Sequence, residues 1–291
     1  MPAMQGAAGA VSFVIAFIAV QLLLTRFARF ALDRPNERSL HAHPVPRTGG
    51  IAVLIGIAAA LPFGGIDVWP SLGLALVLAG VSFADDLKGL PIAGRLGAHL
   101  AAAGVLVWYE LSPIYFWQAA LIVLGIAWLT NLYNFMDGSD GLAGGMTVIG
   151  FAAYAVAAAW AEEPELSTTC LCIAAAAAAF LVFNFHPARI FLGDVGSIPL
   201  GFLAGALGIV GWNDDAWPLW FPVAVFAPFI ADATITLGRR LVRRERVWEA
   251  HRDHYYQRLV RSGLGHRGTA LIAYGAMVIC AACALVGLPA T

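Results

Sequence analysis

Apolar runs follow one another along the chain at roughly 7–30, 48–63, 70–84, 96–111, 115–133, 142–161, 166–185, 197–212, 217–237 and 268–288, separated by short polar connections. Each run predicts an α-helix, because a segment apolar on every side can satisfy its backbone in hydrocarbon only through its own hydrogen bonds. The expected fold is an all-α integral membrane protein, a bundle of about ten transmembrane helices with its active-site loops on the cytoplasmic side. Residues 1–291 are expected to form a single polytopic domain. The polar residues are sorted between the connections. Every Lys and Arg lies in or beside an odd-numbered one: Arg26 to Arg47, Lys88 and Arg95, Arg189, and Arg239 to Arg267. The even connections carry Asp67, Glu110, Glu162, Glu163, Glu165, Asp214 and Asp215. This asymmetry predicts odd connections in the cytoplasm and both termini outside. The first run has no basic leader and no convincing cleavage site, so it reads as a retained span.

Composition agrees with that pattern. Hydrophobic residues make up 60% of the chain and charged residues 12%, well outside the range of soluble domains. Cys170, Cys172, Cys280 and Cys283 fall inside apolar runs, without the surroundings of a disulfide framework or a zinc site.

The chemistry gathers at the cytoplasmic ends of the spans. After the fifth run come Asn131, Asn134, Asp137 and Asp140, a polar group at every third position, followed by Gly138, Gly141, Gly144 and Gly145. Carboxylates there can hold a hard cation, and glycines let backbone N–H groups approach an anion; a capping turn at an aqueous interface accounts for the same residue types. The third run ends in Asp85 and Asp86, two acids whose repulsion a cation, a shared proton, or Lys88 and Arg95 can offset. The seventh leads to Asn184, His186, Pro187 and Gly193-Asp194-Val195-Gly196-Ser197. The first connection carries His41, His43 and Arg47 before Gly49-Gly50; Arg47 suits a phosphate and equally suits an ordinary positive-inside loop. Asp232 lies inside the ninth run, either bonded within the bundle or facing the site cavity. The last basic loop holds His251, His254 and Arg258 with Trp248, Tyr255 and Tyr256, a set suited to a phosphorylated donor containing a ring.

Taken together, His41-x-x-Pro44-x-Pro46-Arg47-x-Gly49-Gly50, Asp85-Asp86, Asn131-x-x-Asn134-x-x-Asp137-Gly138-x-Asp140-Gly141-Leu142 and Phe183-Asn184 through Gly193-Asp194-x-Gly196-Ser197 resemble the polyprenyl-phosphate N-acetylhexosamine-1-phosphate transferases. That membrane family includes the phospho-N-acetylmuramoyl-pentapeptide transferases. The resemblance covers nearly the whole chain. It implies transfer of a sugar 1-phosphate from a UDP-sugar to polyprenyl phosphate, with Mg²⁺, or Mn²⁺ in its place, and release of UMP. It makes Asp194 similar to a magnesium ligand, and ties Asp85 and Asp86 to metal binding or to activation of the lipid phosphate. Asn134, Asp137 and Asp140 become donor or metal contacts. Asp85, Asp86 and Asp137 are then the catalytic candidates, and Arg47, Lys88, Asn131, Asn134, Asp140, His251, His254 and Arg258 the candidates for substrate binding. The family's His-x-His-His-Arg run is matched only at His254 and Arg258, with Tyr256 and Gln257 in place of the other histidines. The form present is similar to members acting on N-acetylated deoxyhexosamines, such as those that start O-antigen chains. The implied partners are the lipid phosphate and the UDP-sugar within a membrane; no nucleic acid is expected, and a homodimer is admitted.

Charge neutralisation and in-line positioning are what two anionic substrates require, so no Cys or Ser nucleophile is needed. The rival reading is an ion-coupled transporter that uses intramembrane Asp residues. Against it stand the one-sided gathering of the acids and the lack of a convincing repeat between the halves.

Overall fold

The apolar runs become helices in a computed structural model that describes residues 2–27, 31–33, 44–60, 62, 68–247 and 251–289. His41, His43, Asp67 and Trp248, named above, lie outside the described residues. In chain order the helices are α1 (Pro2–Arg26), α2 (Gly49–Ala60), α3 (Trp69–Lys88), α4 (Ile92–Leu111), α5 (Phe116–Met136), α6 (Leu142–Trp160), α7 (Pro164–Asn184), α8 (Asp194–Asn213), α9 (Trp220–Val225), α10 (Ala227–Val242), α11 (Tyr255–Leu259) and α12 (Gly265–Val286). A π-helical turn, Val260–Leu264, joins the last two. Two short strands, β1 (Leu32–Asp33) and β2 (Val45–Pro46), pair antiparallel in the first connection. Among the described residues seven helical segments are long and apolar enough to cross a membrane, and the chain is a multi-pass membrane protein.

The other expected spans depart from the simple pattern for visible reasons. α2 is described over only 12 residues. α3 carries Asp85, Asp86 and Lys88 at its end. The ninth run does not form one helix: it breaks at Phe226, with Pro228 in the first turn of α10, where a missing N–H costs nothing. The last basic loop is also shorter than the sequence suggests. Arg239 and Arg240 belong to the final turn of α10, and Tyr255 to Leu259 are helical.

α8 is the axis of the bundle, with 94% of its apolar window buried. Because hydrocarbon offers no hydrophobic drive for helices to associate, close packing has to hold them, and small residues permit it. α8 supplies Gly196, Gly201, Gly205, Gly208 and Gly211 for this. A Cβ on Gly201 would stand 2.8 Å from the Thr130 Cα of α5, and one on Gly50 would stand 2.3 Å from the Gly196 Cα. The odd connections meet at one end of the bundle. The other end carries Trp108, Tyr109, Tyr115, Phe116, Trp117 and Trp160, all exposed, as an aromatic belt at a membrane–water boundary would be. The four cysteines are free.

The contact between α2 and α8 sets an expectation. Gly50→Ala should lower the thermal unfolding midpoint in detergent, since backbone cannot yield as a side chain can and overpacking costs about 1–3 kcal/mol. Gly104→Ala, with nothing within 4 Å of the added methyl, should leave it unchanged. Equal midpoints for the two variants would show that α2 and α8 do not meet this closely.

Candidate active site

Backbone pairing brings the first and seventh connections together before any side chain is involved. Phe191 N–H donates to Pro46 O at 2.7 Å, Gly49 N–H to Phe191 O at 2.9 Å and Gly50 N–H to Leu192 O at 2.8 Å. Gly193 must be glycine here. Its φ is +73°, and a Cβ would lie 2.5 Å from Arg47 O. This pairing delivers Arg47 to Asp86 of α3, with which it forms an ion pair.

Asp85 and Asp86 point to different partners. Asp85 Oδ2 accepts from Arg95 Nη1 at 3.1 Å, and its Oδ1 accepts from Leu90 N–H at 2.6 Å. The adjacent acids are thus separated by an α4 cation on one side and Arg47 on the other. On α5, Asn134 Nδ2 donates to Asp194 Oδ1 at 2.9 Å and lies 3.1 Å from Ser197 Oγ. Asp137, just past the end of α5, accepts from Gly193 N–H at 3.1 Å. Burial, and then the charge of Asp194, push the Asp137 pKa well above the usual carboxylate range; the Gly193 N–H and Arg47 oppose them. Burial works against the Arg47 charge too, but Asp86 and then Asp194 outweigh it.

Asp140 has another task. Its Oδ2 is 2.6 Å from His186 Nδ1 and accepts from Ala188 N–H at 3.1 Å, while His266 packs flat on His186 at 5.4 Å. Asn184 adds a second clasp, taking Gly141 N–H at 3.0 Å and donating to Ile190 O at 2.9 Å. These bonds fix the turn between α5 and α6 against the seventh connection.

Asp232 answers the alternative left open by the sequence: it is bonded within the bundle. Its carboxylate takes Tyr255 N–H at 2.9 Å and Tyr256 N–H at 3.0 Å, and Oδ1 is 3.2 Å from His254 Nδ1. It caps α11 as an acid at a helix start should. Gln257 completes the cap, its Oε1 accepting from His254 N–H at 3.3 Å. Tyr256 turns away from the site, and its hydroxyl donates to Phe135 O at 2.9 Å. Gly138 makes room for it, because a Cβ there would sit 2.2 Å from that hydroxyl. The His251 pKa is lowered by burial and then by His254 and Arg240, with Asp253 and Glu245 opposing.

Between these elements lies a cavity of about 440 Å³ whose lining includes Asp85, Arg95, His99, Asn131, Asn134, Asp194, His251, His254 and Gln257. The structure thus brings Asp85, Asn131, Asn134, Asp194, His251 and His254 onto one surface, with Arg47, Asp86 and Asp137 beside it. Three expected contacts stand apart. Lys88 is exposed at the end of α3, Asp140 is engaged by His186, and Arg258 is exposed with its guanidinium 5.6 Å from the Tyr255 ring. Arg95, His99 and Gln257 are lining residues that were not among the sequence candidates. A histidine inside an apolar run was the available signal for His99.

Residues 68–212, which hold the Asp85-Asp86 pair, the Asn131 to Asp140 row and Asp194, match glycosyl transferase family 4. A decaprenyl-phosphate N-acetylglucosaminephosphotransferase of Mycolicibacterium smegmatis is 30% identical, over 88% of this chain and 74% of the relative. The chain belongs to glycosyl transferase family 4. Among other relatives, a probable undecaprenyl-phosphate N-acetylglucosaminyl 1-phosphate transferase of Bacillus subtilis is 29% identical over 91% of this chain and 80% of its own length. A phospho-N-acetylmuramoyl-pentapeptide-transferase of Moorella thermoacetica is 42% identical, but over 46% of this chain and 43% of itself. The matched family segment ends before α11, so His251, His254 and Gln257 belong to the part of the cavity that the glycosyl transferase family 4 match does not cover.

The raised Asp137 pKa carries a prediction with a definite sign. A carboxylate whose folded pKa exceeds its unfolded one supports folding fully below the unfolded value and loses that support as pH rises through the folded value. Asp137→Asn stays neutral and can still accept from Gly193 N–H. In chelator-treated buffer its melting midpoint should therefore exceed the wild type's at mildly alkaline pH, the gap closing in mild acid. A gap that does not change with pH would mean that Asp137 ionises normally.

Proposed function

We propose that the protein transfers an N-acetylhexosamine 1-phosphate from a UDP-sugar to polyprenyl phosphate at the cytoplasmic face of a bacterial inner membrane. The observation that supports this most is the cavity itself, where carboxylate, amide, guanidinium and imidazole groups from α3, α4, α5, α8 and the last loop meet at the end of a membrane bundle. An oxygen of the lipid phosphate attacks the phosphorus that bears the sugar. The bond from that phosphorus to the bridging oxygen breaks, UMP leaves, and the lipid carries a pyrophosphoryl sugar. No protein nucleophile is needed; alignment and charge stabilisation suffice.

Mg²⁺ fits the donor set, with Mn²⁺ as a substitute. Among the described residues no three His, Cys, Asp or Glu side chains form a ready-made metal cluster. That suits a magnesium ion, which takes one or two carboxylates and completes its shell with water and substrate phosphate. Asp194 is the ligand, with Asp137 in support, and the repulsion between them is what a cation relieves. An ion held there would supply charge neutralisation for the donor pyrophosphate and for the departing UMP. Arg95 and Asp85 face the acceptor, and His251, His254 and Gln257 form the donor wall. The relatives' names favour N-acetylglucosamine as the sugar, and the product would initiate a cell-envelope glycan such as an O-antigen. The transporter reading is weaker, since Asp232, placed within a span, is engaged by two backbone amides and His254.

Asp194→Asn tests the chemistry. Purified variant should keep the wild-type melting curve yet release UMP from UDP-N-acetylglucosamine and undecaprenyl phosphate at least ~100-fold more slowly, the scale of losing a group that stabilises developing charge. Near-normal magnesium-dependent turnover would remove Asp194 from the metal site. The membrane face is tested at Asn213, an exposed residue closing α8. A lone Cys there, with the native cysteines removed, should react with an impermeant thiol reagent in intact cells, and labelling only after lysis would invert the orientation.

A further inference from the structure

A second cavity lies behind the Asp232 wall and shares no lining residue with the catalytic one. It is a slot of about 280 Å³ between α10 and α12. Pro228, Ala231 and Ile235 line it from α10, at spacings of three and four that keep them on one helix face. Thr269, Ile272 and Ala276 line it from α12 in the same way. The seven-residue step from Thr269 to Ala276 makes the slot about 10 Å long. Asp232 also lines it, but its carboxylate is taken up by Tyr255 N–H and Tyr256 N–H, so the walls are apolar. The slot opens on a lipid-facing flank. Leu271 and Val278, beside it on α12, are half exposed and line neither cavity, and α12 belongs to a segment long and apolar enough to cross a membrane.

The end of the slot nearest the catalytic cavity is marked by charge. Tyr255 closes it, and the guanidiniums of Arg239 and Arg258 lie over the Tyr255 ring, 5.3 and 5.6 Å from its centroid. Arg239 follows Ile235 by one turn on the same face of α10, so the apolar stripe ends in a cation. Both arginines are exposed, and among the described residues neither has a carboxylate partner, Glu245 and Asp253 being engaged by Arg240. Contact with the ring leaves both charges in place. Two cations drawn to one ring repel, and an anion set between them relieves that repulsion.

We propose that the slot holds a resident anionic phospholipid, with one acyl chain between α10 and α12 and its phosphate between Arg239 and Arg258. An apolar channel that leads from the hydrocarbon to a pair of unpaired cations complements such a lipid along its whole length. This lipid is not the acceptor. Asp232, Tyr255 and Tyr256 line the slot while His254 and Gln257 line the catalytic cavity, so a phosphate at Arg239 and Arg258 is walled off from Asp194. The lipid instead backs that wall, because Asp232 lines the slot and its Oδ1 is 3.2 Å from His254 Nδ1. The inference goes beyond the proposed reaction and does not depend on it.

The experiment titrates the full-length protein in detergent with phosphatidylglycerol and with phosphatidylcholine of the same chains, reading the first bound lipid by native mass spectrometry. Wild type should bind phosphatidylglycerol at least about fivefold more tightly, since one arginine beside an anionic headgroup contributes on the order of fivefold. The double variant Arg239→Gln/Arg258→Gln should lose that preference and bind phosphatidylcholine as wild type does. Phosphatidylglycerol should raise the melting midpoint of wild type and leave that of the double variant unchanged. Ala276→Phe, which fills the slot, should weaken both lipids. Equal affinity for the two lipids in wild type, or a preference that survives the double substitution, would overturn the headgroup site. Undiminished binding of both lipids to Ala276→Phe with a wild-type melting curve would overturn the slot. Undecaprenyl phosphate at equimolar concentration should leave bound phosphatidylglycerol in place; its displacement would give the slot to the acceptor and overturn the resident lipid.

Discussion

The negative charge at the start of α8 is the constraint to which the site end of the bundle answers. Asp194 stands at the first position of α8, only partly buried and facing the cavity, while the helix behind it is buried over nearly its whole length. The helix start itself favours an anion. Asn134 adds a direct hydrogen bond, and Gly193 is held in a left-handed conformation by the strand-like pairing of the first and seventh connections. Each of these depends on α5, α8 and the first connection packing at backbone distance, which the glycines of α8 and Gly50 permit.

Like charges are tolerated near Asp194 because each is given a separate answer. Asp86 receives Arg47, Asp85 receives Arg95, and Asp140 is drawn off to His186. Asp137 has only a backbone amide and a distant cation against burial and the charge of Asp194, and its pKa stands well above the usual carboxylate range. Burial raises the Asp86 pKa too, with Arg47 opposing it. A site in which one carboxylate is left under-compensated beside another is poised for a cation brought in with an anionic substrate. A fully paired site would have no electrostatic reason to take one.

Much of this was legible in the sequence, for physical reasons. Apolar runs long enough to cross hydrocarbon can only be helices, so the helix order followed directly, and clusters such as Asn131 to Asp140 stood out because their polarity is expensive at a span's end. What stayed hidden depends on distant partners. Nothing near Asp232 in the chain shows that α11, more than 20 residues later, will be capped by it. The substitution of Tyr256 for a family histidine suggested a change in donor recognition, yet its hydroxyl supports the Phe135 carbonyl. Arg258, a substrate-binding candidate by its motif, is exposed with its guanidinium over the Tyr255 ring. His99 was passed over because a single histidine in an apolar run carries no period or spacing, and only the fold brings it to the cavity beside Asn131 and Arg95.

The two walls of the cavity are built differently. The His251 to Gln257 wall is a loop held by an acid from another helix, His254 being pinned by Asp232 and stacked between Phe135 and Tyr256. Such a wall can vary its lining residues while its backbone stays fixed by Asp232, which suits recognition of a soluble donor. The α4 wall is a regular helix whose polar lining residues are Arg95 and His99, so its geometry is set by the membrane span itself. Between them stands Asp194, on the most buried helix of the bundle. In the proposed reaction the two substrates would meet beside Asp194, where α3, α4, α5 and the last loop converge on that helix.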